Sequence, residues 1–218
     1  MLQSALAALR KGRMIIVHDG NHREGEADLM VPAQFATPDK ISTFRKDGGG
    51  LICFATDKKT RKRLGMSFLA ETFRNSPNSV LRKLVISRTP YGDESAFSVS
   101  INHRGTYTGI TDNDRSKTIG EMAKLIAKKG NISKEFAANF YVPGHVPLLF
   151  ARDLRERKGH TELAVRLCEL ASLPPAMLIC EMLGNGNALS FEDAKKYAKK
   201  HKIPILEYSE ILNAKNKG

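Results

Sequence analysis

The chain has 218 residues, of which 41% are hydrophobic and 27% are charged, so its length and composition are those of a globular protein that buries a core. Its longest apolar runs, such as "MIIV" and "LPPAMLIC", are far shorter than the roughly 20 residues that cross a bilayer, which excludes an integral membrane protein. Three widely spaced cysteines without a CxxC pair indicate neither a disulfide framework nor a zinc site, and we expect free thiols.

The net charge of +12 raises the expectation of a phosphorylated partner or a nucleic acid. The basic residues are spread along the chain without interleaved aromatic residues or a recognisable nucleic-acid motif, so a solvated lysine-rich surface is favoured. The N-terminal segment lacks the long apolar stretch and the cleavage site of a secretory signal. We therefore expect a cytoplasmic protein with one domain over residues 1–218.

The first part of the chain predicts short helices and strands in alternation. "MLQSALAALR" has the pattern of an amphipathic helix, and "GRMIIVHD" follows it as a strand. After an acidic loop, "GGGLICFAT" alternates as a second strand, and "TDKKTRKRLGM" has helical character. Residues 74–92 predict an extended connection, because two prolines interrupt them.

The second part continues the alternation, and its helices carry recognisable caps and stops. The predicted elements are a strand at "AFSVSIN", a helix at "NDRSKTIGEMAKLIAKKG" that ends at Gly130, a turn and strand at "PGHVPLLFA", a helix at "GHTELAVRLCELA" capped by Thr161 or a preceding residue, a strand at "AMLICEML", a helix from about Ser190 and a strand around Ile205.

Strands joined by helices, with some hairpin-like neighbours, predict an α/β (α+β) fold. We expect a mixed parallel/antiparallel sheet covered by helices on both faces, in three layers. A purely parallel, doubly wound sheet is less favoured. The glycine run "DGGGLICFA" lacks the GxGxxG spacing and the following helix of a dinucleotide site, and no Walker sequence occurs, so no nucleotide cofactor is implied.

The loop "HDGNHREGEADLM" crowds four carboxylates, of Asp19, Glu24, Glu26 and Asp28, around Arg23. Two carboxylates about 6 Å apart repel by roughly 3 kcal/mol at an effective dielectric of about 20, so such a cluster is either solvated or bound to a cation. An extended loop would place alternate carboxylates on one face, and a helical loop would place Glu24 one turn from Asp28. Oxygen ligands of this kind favour magnesium or manganese. A solvated acidic turn is the alternative.

Three other places carry residues suited to chemistry. His145 lies between prolines on a stiff loop and could move protons near neutral pH, although a buried structural histidine would look the same. Glu181 stands in the apolar setting "LICEML", where burial would suit a general acid or base, although a strand-edge glutamate would look the same. Anion-binding residues gather at a helix start, where an ordinary helix cap is the alternative: Arg157, Lys158, His160 and Thr161.

Seven segments in order resemble one enzyme family: "HREGEADLM", "GGGLICFA", "FSVSIN", "TGITDNDRSKTI", "PGHVPLL", "RKGHTELAVRLCELA" and "CEML". The chain is similar to the 3,4-dihydroxy-2-butanone 4-phosphate synthases of riboflavin biosynthesis. The resemblance implies a lyase that converts D-ribulose 5-phosphate to formate and L-3,4-dihydroxy-2-butanone 4-phosphate, through a magnesium-stabilised enediolate, dehydration, skeletal rearrangement and loss of one carbon. It also implies Mg²⁺ (or Mn²⁺) without an organic cofactor, and a homodimer with active sites near the subunit interface.

The resemblance also assigns roles to residues of this chain. The implied metal ligands are Glu24 and His160. The implied catalytic residues are His145, Glu181, Asp19, Glu26 and Cys53. The implied substrate-binding residues are Arg23, Glu24, Asp28, Thr108, Arg157, Lys158, Gly159, His160, Thr161 and Glu181, of which Thr108 is expected to approach from the partner subunit. Where the family commonly has Arg-Glu-Asn-Glu-Gly-Asp, this chain reads "REGEAD", so the spacing of the acidic residues is kept but Gly25 and Ala27 intervene.

Two alternatives stay open at this point. A double-stranded RNA-binding protein would account for the basic balance, and its affinity would depend on salt and not on a chelator. A metal-dependent aldolase or isomerase acting on another sugar phosphate would share the acidic loop, but an isomerase would release no one-carbon acid.

Overall fold

The computed structural model describes residues 1–214 of the chain, and the strands of this part form a single seven-stranded sheet. The strands are β1 (Ile15–His18), β2 (Ala27–Pro32), β3 (Cys53–Thr56), β4 (Phe97–His103), β5 (Phe140–Phe150), β6 (Ala176–Glu181) and β7 (Ile205–Glu207). Their order across the sheet is β4-β5-β3-β6-β2-β1-β7.

The sheet is mixed, as the sequence predicts. β3 pairs with β5, and β1 with β7, in parallel. The pairs β1–β2, β2–β6, β3–β6 and β4–β5 are antiparallel. Antiparallel neighbours need only a short connection. The connection between β1 and β2, residues 19–26, contains most of the acidic loop and therefore holds it at one end of the sheet.

Helices cover both faces of the sheet. They are α1 (Leu2–Arg10), α2 (Pro38–Thr43), α3 (Lys58–Leu64), α4 (Leu69–Arg74), α5 (Ser79–Leu84), α6 (Asp112–Ala127), α7 (Ser133–Asn139), α8 (His160–Ala171), α9 (Phe191–His201) and α10 (Tyr208–Leu212). A 3₁₀ turn (Ala33–Phe35) and a π-helical turn (Phe44–Gly48) flank α2.

Two apolar clusters, one on each face of the sheet, make the fold a three-layer structure. Ile15 and Val17 of β1 pack in one cluster with α1, α8 and α10. Ile16, between them, packs in the other with α2, α6 and α9. Because successive side chains of a strand point to opposite faces, a strand buried on both sides reads as a continuous apolar run, as "MIIV" does. The predicted three-layer α/β fold is thus confirmed.

The helices α1, α3, α6, α8 and α9 were predicted, whereas the short helices α2, α4, α5, α7 and α10 and the strand β2 were not. The extended connection predicted over residues 74–92 is wrong in part, because α5 forms within it, after the unpredicted α4. Neither helix buries a residue, so neither has an apolar periodicity in the sequence. The Asn78 side chain caps α5 by accepting hydrogen bonds from the backbone N–H groups of Val80 (2.9 Å) and Leu81 (3.4 Å).

Tertiary contacts also moved the end of α6. The helix ends at Ala127, three residues before the predicted stop at Gly130. The guanidinium group of Arg63 donates hydrogen bonds to the carbonyl oxygens of Ile126 (3.0 Å), Lys128 and Gly130 (2.8 Å). A side chain from α3 therefore satisfies the carbonyl groups at this helix end, a contact that local sequence does not reveal.

The sequence predicts a turn at the start of "PGHVPLLFA", but in the structure this segment belongs to β5, which bulges there. Asn102 pairs with Tyr141 while the adjacent Ile101 pairs with Val146, so four residues of β5 bulge out between these pairs. A Cβ atom at Gly144 would lie 2.0 Å from the carbonyl carbon of Ile101, so this position requires glycine. The bulge presents His145 at the surface.

Two expectations from composition can be compared with the described part of the chain. Among residues 1–214, no helix combines the length and the apolar character that a membrane span requires. Cys53, Cys168 and Cys180 are all buried and free, as predicted.

Candidate active site

Three strand ends bring the predicted acidic residues together. Asp28 of β2 pairs with Val17 of β1 on one side and with Glu181 of β6 on the other. Since β1 and β6 both run antiparallel to β2, their carboxyl ends lie beside its beginning. Carboxylates from the acidic loop, from β2 and from β6 therefore meet at one end of the sheet.

Asp19 organises the acidic loop from its buried position. Its carboxylate accepts hydrogen bonds from the backbone N–H groups of Glu26 (3.0 Å) and Glu24 (3.3 Å), and from Nη1 of Arg23 (2.8 Å). The chain turns at residues 21–24, and β2 begins at Ala27. Neither the fully extended nor the helical form considered for "REGEADL" describes the whole segment, because Asp19 folds its first half into a turn.

The histidine at the start of α8 completes a cluster with these carboxylates. Nδ1 of His160 lies 3.6 Å from Oε2 of Glu24 and 3.5 Å from Oδ1 of Asp28. Asp19, Glu24 and His160 each offer one atom that could bind a metal ion, and these three atoms lie within 4.8 Å of one another. We refer to Asp19, Glu24, Asp28 and His160 as the acidic cluster.

Unsatisfied polar atoms in the acidic cluster fit a bound cation. Within residues 1–214, Oδ1 of Asp28 and Nε2 of His160 are buried and have no hydrogen-bond partner. Buried polar atoms are normally paired, so unpaired ones call for a ligand, an ion or a water molecule. Carboxylate oxygens with one imidazole nitrogen are suitable donors for Mg²⁺ or Mn²⁺.

The pKa values of the cluster show how strongly it attracts positive charge. Burial lowers the pKa of His160, but the carboxylates of Asp28, Glu24 and Asp19 outweigh burial and raise that pKa. Burial raises the pKa of Glu24, but its contacts with His160, Tyr91 and Arg23 bring it down to about 2. Glu24 is therefore ionised at neutral pH, as a metal ligand must be.

Two other predicted residues border the cluster. The carboxylate of Glu181 accepts a hydrogen bond from the backbone N–H of Leu51 (2.8 Å), just before β3. Cys53 begins β3 and is buried, and burial together with the nearby charges of Glu181 and Asp28 raises the pKa of its thiol well above the usual value. Cys53 is therefore a neutral thiol near Glu181 and Asp28.

Residues of the kind that bind anions lie next to the acidic cluster. The sequence predicts that Thr161 or a preceding residue caps α8, and in the structure the N-cap is Gly159, two residues before Thr161. A Cβ atom at Gly159 would lie 2.7 Å from Nη1 of Arg157 and 2.7 Å from Cζ of Arg23, so both guanidinium groups lie against this glycine. Thr161, in the first turn of α8, is buried, and Lys158 is exposed. We call Arg23, Arg157, Gly159 and Thr161 the anion corner, since guanidinium groups and a helix N-terminus favour a phosphate.

Glu162, which the sequence analysis did not select, holds the anion corner in place. It is buried, and its carboxylate accepts hydrogen bonds from the backbone N–H groups of Arg152 (2.8 Å) and Gly159 (3.2 Å), and from the guanidinium of Arg157. Its position three residues after the N-cap, as in a capping box, is the signal that could have revealed it.

The substitution Glu162→Gln is expected to lower the free energy of unfolding by about 3 kcal/mol, because it removes the buried carboxylate that accepts a hydrogen bond from the buried guanidinium of Arg157. Urea denaturation measures the change. Glu169→Gln, on the same helix but with an exposed carboxylate, is the matched control and should cost less than about 0.5 kcal/mol. Equal stability of the two variants would refute the structural role of Glu162.

Two predicted residues, His145 and Thr108, lie together at a different place. The backbone N–H of His145 donates to Oδ1 of Asn102 (2.9 Å), and Nδ2 of Asn102 lies 3.1 Å from Nδ1 of His145. Nδ2 of Asn102 also donates to the carbonyl oxygen of Thr108 (3.5 Å). In the part of the chain that the structure describes, the hydrogen bonds of His145 and Thr108 are to Asn102 and Asp114, not to the acidic cluster.

The segment before β4 adds two residues that the sequence did not indicate. The aromatic ring of Tyr91 lies 4.7 Å from Cζ of Arg23, and Oδ2 of Asp93 lies 2.7 Å from Nε of Arg23. Residues 85–96 contain neither helix nor strand, so no periodic pattern marks their position in the site.

Comparison with known sequences gives matches over almost the whole chain. A family model described as 3,4-dihydroxy-2-butanone 4-phosphate synthase matches residues 3–214. The synthase of Methanothermobacter thermautotrophicus is 40% identical over 220 residues, which cover 98% of this chain and 95% of that protein. The synthase of Methanosarcina acetivorans is 42% identical over 223 residues, which cover 98% of this chain and 90% of that protein.

Solved structures of such synthases share the fold. That of Candida albicans has a TM-score of 0.75 at 26% identity, over 97% of this chain and 95% of that one. A two-domain synthase from A. baumannii has a TM-score of 0.78 at 25% identity, over 96% of this chain and 56% of that one, so this chain spans about half of that protein. A synthase solved in complex with two magnesium ions has a TM-score of 0.77 at 23% identity, over 96% of this chain and 94% of that one.

Proposed function

The chain belongs to the 3,4-dihydroxy-2-butanone 4-phosphate synthase family, with a role in riboflavin biosynthesis, and we propose that it converts D-ribulose 5-phosphate to formate and L-3,4-dihydroxy-2-butanone 4-phosphate. As a lyase it breaks one carbon–carbon bond of the sugar phosphate. The chain acts as a single catalytic domain in the cytoplasm, without an organic cofactor.

The observation that carries this proposal is the contact between the acidic cluster and the anion corner. A phosphorylated ketose needs a cation near its carbonyl and hydroxyl oxygens and a separate site for its phosphate. Arg23 joins the two sites, because its Nη1 binds Asp19 while its Nη2 lies beside Gly159. A five-carbon phosphate bound at both sites would be fixed at its inert end and oriented at its reactive end.

Glu24 and His160 would hold a magnesium or manganese ion. Glu24 supplies an ionised carboxylate, and His160 supplies an imidazole that is buried against it. When bound, the ion would supply positive charge that stabilises negative charge developing on the oxygens of the substrate. The synthase of the same fold that was solved with two magnesium ions supports this choice of metal.

Side chains around the cluster would move the protons that the reaction requires. Burial, and the negative charges of Glu24 and Glu181, raise the pKa of Glu26, so this carboxylate is a stronger base than a free glutamate. Burial also raises the pKa of Asp28. We assign the first proton abstraction to Glu26 or Asp28, and later transfers to Glu181 and His145, with Cys53 lining the pocket.

A homodimer would bring His145 and Thr108 to the acidic cluster of a second copy. Both residues contact Asn102, and β4, which carries Asn102, is an edge strand of the sheet. Three large apolar side chains are exposed next to them, those of Tyr107 (94% exposed), Ile110 (49%) and Val142 (55%). Exposed apolar patches of this kind favour a protein interface.

The purified protein is expected to release one formate for each ribulose 5-phosphate consumed, in the presence of Mg²⁺. EDTA should stop the release, and added Mg²⁺ or Mn²⁺ should restore it, because the acidic cluster would lose and regain its cation. Carbon NMR of the products, together with an enzymatic formate assay, provides the measurement. Turnover without formate would indicate an aldolase or isomerase instead, and turnover that EDTA leaves unchanged would contradict the metal site.

A further inference from the structure

Asp93 occupies a position between the two arginines of the anion corner. Its Oδ2 lies 2.7 Å from Nε of Arg23, the distance of a charge-assisted hydrogen bond, and 3.7 Å from Nε of Arg157. An oxygen of a bound phosphate would accept hydrogen bonds from the same guanidinium groups. A carboxylate and a phosphate so close to each other repel, so the presence of one weakens the binding of the other to the two guanidinium groups.

The anion corner contains buried hydrogen-bond donors that have no partner among the described residues, as expected of a site that binds a ligand. Within residues 1–214, Nη2 of Arg23 and Nε of Arg157 are buried and have no hydrogen-bond partner. The side chains of Arg23 and Arg157 are 5% and 9% exposed. Gly159, the N-cap of α8, has no side chain that could accept hydrogen bonds from the backbone N–H groups of the first turn of this helix.

Asp93 belongs to a turn that is closed by hydrogen bonds between its own residues. The backbone N–H of Thr89 donates to the carbonyl oxygen of Asp93 (2.8 Å), and the N–H of Asp93 donates to the hydroxyl of Thr89 (3.1 Å). The turn thus holds its shape through its own hydrogen bonds. A cavity of about 200 Å³ adjoins the turn and is lined by Thr89 and Asp93 together with Leu69, Phe73 and Ile86, so a displaced Asp93 carboxylate would have space to enter.

We propose that Asp93 is an internal competitor for the phosphate position, and that it determines which anions the corner accepts. Free phosphate contacts the protein only at the anion corner, so only those contacts supply the free energy that displaces the Asp93 carboxylate. A sugar phosphate that also binds at the acidic cluster has additional binding free energy with which to displace it. The inference rests on the proposed function only in taking the anion corner as the phosphate site of a phosphorylated sugar.

The test is the affinity for inorganic phosphate of the full-length protein, measured by isothermal titration calorimetry. Asp93→Asn removes the competing charge at nearly constant volume, so the variant should bind phosphate about tenfold more tightly than the wild type. Its KM for ribulose 5-phosphate should fall, and phosphate should become a stronger competitive inhibitor. Phosphate binding that is unchanged or weaker in Asp93→Asn would overturn the proposal, since a carboxylate that merely positions the arginines would give that result.

Glu94→Gln is the matched control, because Glu94 is the next residue, and its 45%-exposed carboxylate pairs with Arg152 outside the corner. This variant should bind phosphate as the wild type does, and a tenfold gain there would also overturn the proposal. Should Asp93→Asn not fold, Asp93→Ser carries the same test. Calorimetry with phosphate needs no turnover, so a failure of the formate assay and a failure of this inference are distinguishable.

Discussion

Glu24→Gln is expected to reduce magnesium-dependent formate release by about a thousandfold and to weaken Mg²⁺ binding. The amide is uncharged, so the cluster loses one of the ionised ligands that attract the cation. Glu24 is the carboxylate for which this loss should be greatest, because its contacts with His160, Tyr91 and Arg23 lower its pKa to about 2 and keep it charged. Initial rates of formate release and calorimetric titration with Mg²⁺ measure the two effects.

The control for this substitution is Glu192→Gln. Glu192 lies in the first turn of α9, is 75% exposed and pairs with Lys195 at the surface. Its replacement should leave both the rate and the affinity for Mg²⁺ within a factor of two of the wild type. Circular dichroism establishes that both variants fold. If Glu24→Gln kept more than a tenth of the wild-type rate, Glu24 could not be the principal metal ligand.

Mixing two inactive variants is expected to restore activity. In a dimer where His145 of one subunit serves the acidic cluster of the other, His145→Ala and Glu24→Gln each disable every site of their own homodimer. A hybrid dimer has one site with both residues intact and one site with neither. Random reassociation yields half hybrids, each with half its sites active, so about a quarter of the wild-type activity should return.

The control for the mixing experiment places both substitutions in one chain. Mixed with the wild type, the double variant forms hybrids in which each site lacks one of the two residues, so such hybrids should be inactive. Formate release is measured after co-refolding, and size-exclusion chromatography with light scattering gives the oligomeric state. If single variants showed no activity after mixing while dimers formed, His145 would have to serve its own chain or none.

Elements whose signals are local could be predicted from the sequence. The helix α6 has its apolar residues at helical spacing and a cap at Thr111, whose side chain accepts a hydrogen bond from the N–H of Asp114 (3.1 Å). The helix α9 begins after Ser190 in the same way. The helices α4 and α5 escaped prediction because they bury no residue, and the end of α6 was misplaced because Arg63, from another helix, satisfies its carbonyl groups.

The sequence indicated many of the residues of the candidate site but not their arrangement in space. The acidic loop and the helix start at His160 were both selected from the sequence, and the resemblance to the family linked them. Asp93 and Glu162 were not selected. The carboxylate of Asp93 contacts Arg23 and Arg157, which are distant in the chain, and an unpatterned segment such as 85–96 carries no signal for such contacts.

By itself the sequence determined the composition of the core, the periodic helices and strands, and the chemical types available to the site, because each of these depends on near neighbours in the chain. Only the tertiary structure decided which of these groups share a site. Asp28 lies beside Glu181 because β2 pairs with β6, and His160 lies against Glu24 because α8 packs on the sheet. Pairing between distant segments also places His145 and Thr108 together on Asn102, which belongs to the edge strand β4.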